Sequence, residues 1–188
     1  SLRDRVVFVS GGASGIGAAI VEQFCLQGAK VSFVDIDADA AASLADDIAA
    51  RDLPRPRFLP CDLKDVEALQ YTIGQVITAD GPITALINNA ANDERHTIDD
   101  VTPAYFDDRI AVNLRHQFFA TQAVHGPMAE AGGGAIVNIG SVPWLIGQGG
   151  MPCYSASKAA VAGLTRSLAR DLGPKNIRVN SVLPRWIM

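Results

Sequence analysis

Tyr154 and Lys158 stand four residues apart in Cys153-Tyr154-Ser155-Ala156-Ser157-Lys158, at the head of an Ala-rich stretch that reads as a helix. Four residues is just over one helical turn, so both side chains project from one face. A phenol beside an ammonium is a proton-transfer device. Free Tyr titrates near ~10 and is a poor base at neutral pH. A neighbouring cation favours the phenolate, and a downward shift of ~3 units corresponds to about 4 kcal/mol. The spacing predicts a group poised near neutrality for general acid–base work. Alone it is only suggestive, because a Lys four places after some Tyr arises about 0.06 times by chance in this composition. It needs partners.

The beginning of the chain supplies a second chemical signal. Arg5-Val6-Val7-Phe8-Val9 reads as a buried parallel strand. Ser10-Gly11-Gly12-Ala13-Ser14-Gly15-Ile16-Gly17 follows directly, and residues 18–27 are then apolar at helical spacing up to Gly28. Strand, glycine turn and helix in that order make a phosphate-binding context. The helix start offers free N–H groups and a positive dipole end, and the glycines let backbone approach a pyrophosphate. The spacing is Gly11-x-x-x-Gly15-x-Gly17 rather than Gly-x-Gly-x-x-Gly. A second strand, Val31-Ser32-Phe33-Val34, ends at Asp35, which is placed to accept hydrogen bonds from an adenosine ribose and to repel a 2′-phosphate. Asp37 and Asp39 suit the cap of the next helix or a face toward water.

Strands are expected near 5–9, 31–35, 57–60, 84–88, 135–140 and 177–183. Helices are expected near 15–27, 38–51, 64–79, 103–131 (with a break at Pro127) and 154–172. The alternation predicts a single Rossmann-type α/β domain over residues 1–188, a doubly wound parallel sheet with helices on both faces. Ligands of such sheets bind at the carboxyl ends of the strands. Asp35, Asp62, Asn88-Asn89, Ser141 and Pro184 all fall there.

Composition narrows the class. The chain is 48% hydrophobic and 19% charged with a net charge of −4, which suits one globular domain with a sizeable core. Without a basic tract, nucleic acid and anionic membranes are not expected partners. No apolar run is long enough to span a bilayer. Cys25, Cys61 and Cys153 are odd in number and scattered, so a reducing cytoplasm is the default. His96, His116 and His125 form no metal-ligand pattern, and no metal is expected.

Taken together, these residues resemble the short-chain dehydrogenase/reductase family, from residue 5 to 187. Ser10-Gly11 through Gly17 resembles its cofactor turn, with Ser10 for the usual Thr. Asp62-Leu63 resembles the pair that holds the adenine ring, and Asn89-Ala90-Ala91 the motif after strand four. Asn113, Ser141, Tyr154 and Lys158 resemble the catalytic tetrad, and Asn180 through Pro184 the segment whose Pro lies near the nicotinamide. The resemblance implies NAD as cofactor. Gly11, Ser14, Gly15, Ile16 and Gly17 would meet its phosphates, Asp35 and Ile36 its ribose, and Asp62 and Leu63 its adenine. Asn89, Ala90, Ala91 and Pro184 would lie along the remainder. Tyr154 would be the acid–base group and Ser141 the partner of the reacting oxygen. Lys158 would lower the Tyr154 pKa and bind ribose hydroxyls, and Asn113 would hold a water linking Lys158 to solvent. A homodimer or homotetramer built through the helices near 103–131 and 154–172 is also implied.

Three features depart from the family pattern. Ala91 stands where Gly is usual, Arg185 replaces the Gly after Pro184, and the sequence ends at Met188. Relatives usually continue through a substrate-covering helical segment and a seventh strand, which this sequence is expected to lack.

Asn89 through His96, Asn113-Leu114-Arg115-His116 and Gly140 through Trp144 are most similar, within the family, to bacterial NAD-dependent D-xylose (aldose) 1-dehydrogenases. That similarity implies a sugar or polyol substrate, met by Asn92, Ser141, Trp144 and Tyr154, with Trp144 stacking on the ring. His116 reads as structural. Two other readings compete. One is a 3-oxoacyl thioester or other carbonyl reductase, against which Asp35 argues. The other is a non-catalytic NAD-binding homologue, against which the intact tetrad argues.

Overall fold

Val6–Ser10 is buried along its whole length. Such a strand must have neighbours on both edges and a layer on both faces. It is the centre of a six-stranded sheet in a computed structural model that describes residues 2–185. The strands are β1 (Val6–Ser10), β2 (Lys30–Asp35), β3 (Arg57–Pro60), β4 (Ala85–Asn88), β5 (Gly134–Ile139) and β6 (Ile177–Val182), in spatial order β3-β2-β1-β4-β5-β6. All the pairings are parallel. The order reverses between β1 and β4, which opens a crevice at their carboxyl ends.

Register places the site. Ser10 pairs with Val34 on one side and Asn88 on the other. Asn88 pairs with Asn138, and Asp35 with Pro60. The chemically interesting residues therefore emerge along one rim of the sheet.

The helices are α1 (Gly15–Leu26), α2 (Ala38–Ala49), α3 (Val66–Asp80), α4 (Pro103–Ile110), α5 (His116–Glu130), the short α6 (Pro143–Ile146) and α7 (Pro152–Leu172). Asp37 caps α2 as its position suggested, accepting from Ala40 N at 3.0 Å. Two cores form, one per face of the sheet. Phe8, Leu69, Ile73, Val124 and Ile136 lie in the first. Val7, Val9, Val21, Phe33 and Ile48 lie in the second. Alternate residues of β1 serve opposite cores, the period-two rule of a strand. No helix among the described residues is long and apolar enough to cross a membrane.

The expected helix over 103–131 is interrupted, though not at Pro127. A π-helical turn, Ala111–Arg115, separates α4 from α5, whereas Pro127 lies inside α5. In the last turn a proline forfeits one backbone bond while its fixed φ stays helical. The π turn surrounds Asn113, and such turns frequently mark functional positions. Residue 187, where the expected family match ends, and the terminal Met188 lie outside the described residues.

Candidate active site

The glycine turn shows what its residues are for. Gly11 and Gly15 have φ of +67° and +52°, the left-handed region that favours glycine. A Cβ on Gly17 would collide with the Gly11 carbonyl oxygen, and would lie 2.7 Å from Asn89 Nδ2. Gly15 has no atom within 4 Å of its own Cβ position, so its backbone faces open space at the start of α1. The α1 cap, Ser14, makes no side-chain hydrogen bond to the helix. Free N–H groups, a bare turn and a positive helix end fit a pyrophosphate.

Two cavities meet at this turn, and both are lined by Ile16, Asn89 and Ala91. The first, about 430 Å³, carries Gly11, Ser14, Gly17, Asp35, Ile36, Asp62, Leu63 and Ala90. It thus gathers the adenosine-side residues expected from sequence. Cys61, Lys64, Arg109 and Val112 also line it. These four were missed because nothing local marks them. Asp35 is held by three backbone donors: Ala13 N at 2.9 Å to one oxygen, and Ile36 N and Asp37 N at 2.8 and 3.2 Å to the other. Asn89 Nδ2 donates to Gly11 O at 2.8 Å, and Ser10 Oγ accepts from Asn89 N and Ala90 N at 3.0 and 3.2 Å. The tip of β4 is thereby tied to the turn.

The second cavity, about 380 Å³, brings together Ser141, Tyr154, Lys158 and Pro184. Residues 143, 148 and 151 supply further wall, with Asp93, Arg95 and Arg185. Tyr154 and Lys158 do share a face of α7, and both are buried. Lys158 Nζ donates to Ile139 O at 2.7 Å. Burial holds its pKa down to about 8. Its nitrogen lies 5.6 Å from the Tyr154 ring centroid.

The expected depression of the Tyr154 pKa is not found. Burial pushes the phenol up, a hydrogen bond with Ser141 opposes that shift, and Asp93 adds to it. Lys158 is turned to the β5 carbonyl, and the cation that opposes the rise is Arg95. Tyr154 is a phenol at neutral pH in this state.

Asn113 stands behind the site rather than in its wall. It is fully buried. Its Oδ1 accepts from Asn92 N at 2.8 Å, and its Nδ2 donates to Asn92 O and Arg109 O at 3.0 Å each. The carboxamide anchors the loop after β4.

The loop 92–96 alternates in direction, as an extended chain does. Asp93 and Arg95 reach the second cavity, while Asn92 lines the first. Glu94 instead reaches Arg109, Oε2 to Nη1 at 3.1 Å. Asn92 is therefore not on the substrate side, and Asp93 and Arg95 take the place expected of it. Trp144 is absent from the wall of either cavity. It sits half-buried on α6, a turn that sequence reading missed, and Pro143 occupies the lining position instead. His116 is structural as read. Burial, reinforced by the Lys158 ammonium, holds its pKa down to about 3. It stays neutral, with Nε2 3.2 Å from Ala90 O.

Comparison with known proteins agrees with this geometry. The short chain dehydrogenase family model matches residues 5–188. A probable galactose dehydrogenase, GalD, of Rhizobium meliloti is 47% identical over 187 residues, spanning 100% of this chain and 73% of its own. The D-xylose 1-dehydrogenase of Caulobacter vibrioides is 44% identical over 184 residues, 98% of this chain and 72% of its own. Among solved structures, a blue fluorescent protein from a metagenomic library, in complex with NADPH, superposes with a TM-score of 0.88 at 35% identity, over 97% of this chain and 74% of its own. The chain belongs to the short-chain dehydrogenase family, oxidoreductases that act on hydroxyl groups with a nicotinamide cofactor.

Proposed function

We propose that the protein is an NAD-dependent sugar dehydrogenase that oxidises an aldose at its anomeric hydroxyl. The observation that carries this reading is the second cavity. There Ser141, Tyr154 and Lys158 line one cavity with Asp93, Arg95 and Gln148. Three polar side chains beside an acid–base pair suit a ligand covered in hydroxyls. The names of the two relatives, a galactose and a D-xylose dehydrogenase, point the same way.

When bound, the nicotinamide supplies the hydride acceptor, and the protein supplies the rest. In reduction the Tyr154 phenol gives its proton to the reacting oxygen; in oxidation its phenolate, formed by loss of that proton to solvent, takes the proton of the substrate hydroxyl. Ser141 Oγ bonds the same oxygen and steadies the charge that grows there. Lys158 has two N–H bonds beyond the one given to Ile139, which would serve the ribose hydroxyls of the bound cofactor. Asn113 positions the 92–96 loop through the Asn92 backbone. Asp93, Arg95 and Gln148 orient the remaining hydroxyls.

Cofactor choice rests on Asp35 and on the cations around it. The three N–H bonds fix its carboxylate at the rim of the first cavity. Residues 14, 36 and 37 are Ser, Ile and Asp, which offer no positive charge to a 2′-phosphate. The lining cations Lys64 and Arg109 are both occupied by Asp108, at 3.0 and 2.5 Å. NAD is therefore the cofactor of this reading, and Asp35 with Ile36 its ribose site.

Self-association is part of the same proposal. Val161 is buried against the body of the protein, yet Phe106 on α4 and Phe118 on α5 are each 43% exposed. Such rings suit a homodimer or homotetramer formed through these helices; a monomer by light scattering at micromolar concentration contradicts it.

A panel of pentoses and hexoses with NAD tests the substrate. Activity on aldoses supports the reading. Silence on every sugar, with turnover of simple alcohols or of 3-oxoacyl thioesters, overturns it.

A further inference from the structure

The helix that carries Tyr154 and Lys158 begins without a cap of its own. Met151, in the capping position of α7, makes no side-chain hydrogen bond to it, and Pro152 has no N–H. The next donor, Cys153 N, belongs to the first turn, where backbone N–H groups lack helical partners. A side chain from a distant loop meets it. His96 Nε2 accepts from Cys153 N at 3.3 Å across 57 residues of sequence.

The rest of the ring is equally engaged. Because Nε2 must present its lone pair to Cys153, the ring proton sits on Nδ1. Nδ1 faces Glu94 O and the Tyr105 hydroxyl, both at 3.0 Å. Tyr105 stacks edge-on against the imidazole, with centroids 5.1 Å apart. On its other side the Arg109 guanidinium lies 5.1 Å from the Tyr105 centroid. The backbone is pinned as well, His96 N donating to Gly150 O at 3.0 Å. Arg109 in turn lines the adenosine-side cavity and holds Glu94. One contact chain thus runs from that cavity through α4 to the first turn of α7.

We propose that His96 is a positioning residue: an imidazole held by Tyr105 and Glu94 caps α7 from outside and sets the place of Tyr154 one residue beyond the capped amide. An N-terminal cap holds the first turn of a helix against fraying. Here its value is geometric, since fraying of this turn moves the proton-transfer oxygen itself. The same ring joins the two walls of the second cavity, because Asp93 and Arg95 precede it in the loop while Tyr154 follows its partner in the helix. This deepens the reading above and rests on it for the role of Tyr154.

Two variants of similar bulk separate the cap from mere filling. His96→Gln retains an acceptor for Cys153 N–H, and His96→Leu removes it. Amide hydrogen exchange of the segment 151–156 reads the cap without any turnover. Exchange is expected to rise about tenfold in His96→Leu, equivalent to about 1.4 kcal/mol, and to stay within about twofold of the parent in His96→Gln. In the steady state, kcat is expected to fall about tenfold in His96→Leu with KM for NAD unchanged, and His96→Gln to recover most of it.

Unchanged exchange in His96→Leu overturns the cap, and raised exchange with unaltered kcat overturns its positioning role. If the parent itself turns over no sugar, the reading above fails while exchange still decides the cap. Should His96→Leu not fold, Tyr105→Phe removes only the hydroxyl on Nδ1. A twofold to fivefold loss of kcat at constant KM for NAD supports the proposal, and an unchanged kcat overturns it.

Discussion

The two cavities that meet at Ile16, Asn89 and Ala91 are built by different means. The adenosine side rests on backbone. Its glycines take left-handed φ, α1 offers its first N–H groups, and Asp35 is fixed by three amides within two local turns. The substrate side rests on side chains brought from far apart in sequence, at 93–95, 141–148, 154–158 and 184–185. A backbone site tolerates little variation and binds one shape of ligand. A side-chain site can be refitted residue by residue without disturbing the turn beside it. Such a division lets one fold hold a single cofactor against many substrates.

The sharpest way to break this comparison is Tyr154→Phe, which removes only the hydroxyl. Turnover is expected to fall at least a thousandfold, near the upper range for losing an acid–base group. NAD affinity is expected to stay within about twofold, measured by titration of the purified variant. A matching loss of affinity would mean that the two halves are not separable.

Asp35→Ala perturbs the other half. Loss of the carboxylate removes acceptors for the ribose and the repulsion of a 2′-phosphate. The parent is expected to prefer NAD over NADP by about a hundredfold in kcat/KM, or about 3 kcal/mol. The variant should lose most of that preference while the order of sugar preference stays the same. Comparable efficiency with NADP in the parent would show that Asp35 does not read the ribose.

Lys158 stands at the seam, and its signature is a pH dependence of stability. Its folded pKa is depressed to about 8 from 10.5 by burial. Between those values the unfolded chain binds more protons than the folded one, so stability rises with pH across that window. Below it, the buried ammonium is a constant cost. Denaturation of Lys158→Met is expected to lack this rise, so its stability gains on the parent toward neutral pH. Parallel profiles from about pH 8 to 10.5 would show that the ammonium is not strained by burial.

This contrast also decided what could be read in the sequence. The strand–turn–helix context, Asp35 and the pairing of Tyr154 with Lys158 were legible because each is a local pattern with a local cause. The six strands and their parallel order followed from alternation. The π turn at Asn113 was not legible, since a one-residue expansion has no compositional mark, whereas Pro127 carried a mark and no break. Asn92 and Trp144 went astray for a related reason. Direction in an irregular loop is set by distant partners, here Asn113 for Asn92 and Arg109 for Glu94. Tyr154 was expected below its usual pKa because Lys158 was counted as its neighbour. In the structure Ile139 O claims the ammonium, and burial decides the sign.

The account turns on hydride leaving the anomeric carbon toward the nicotinamide while Tyr154 takes the hydroxyl proton. An aldose bearing deuterium at C1, incubated with the protein and NAD, tests that directly by mass spectrometry of both products. The account predicts one deuterium in each reduced nicotinamide, none in the lactone, and no transfer by Tyr154→Phe. Label retained on the sugar while NAD is reduced would contradict it.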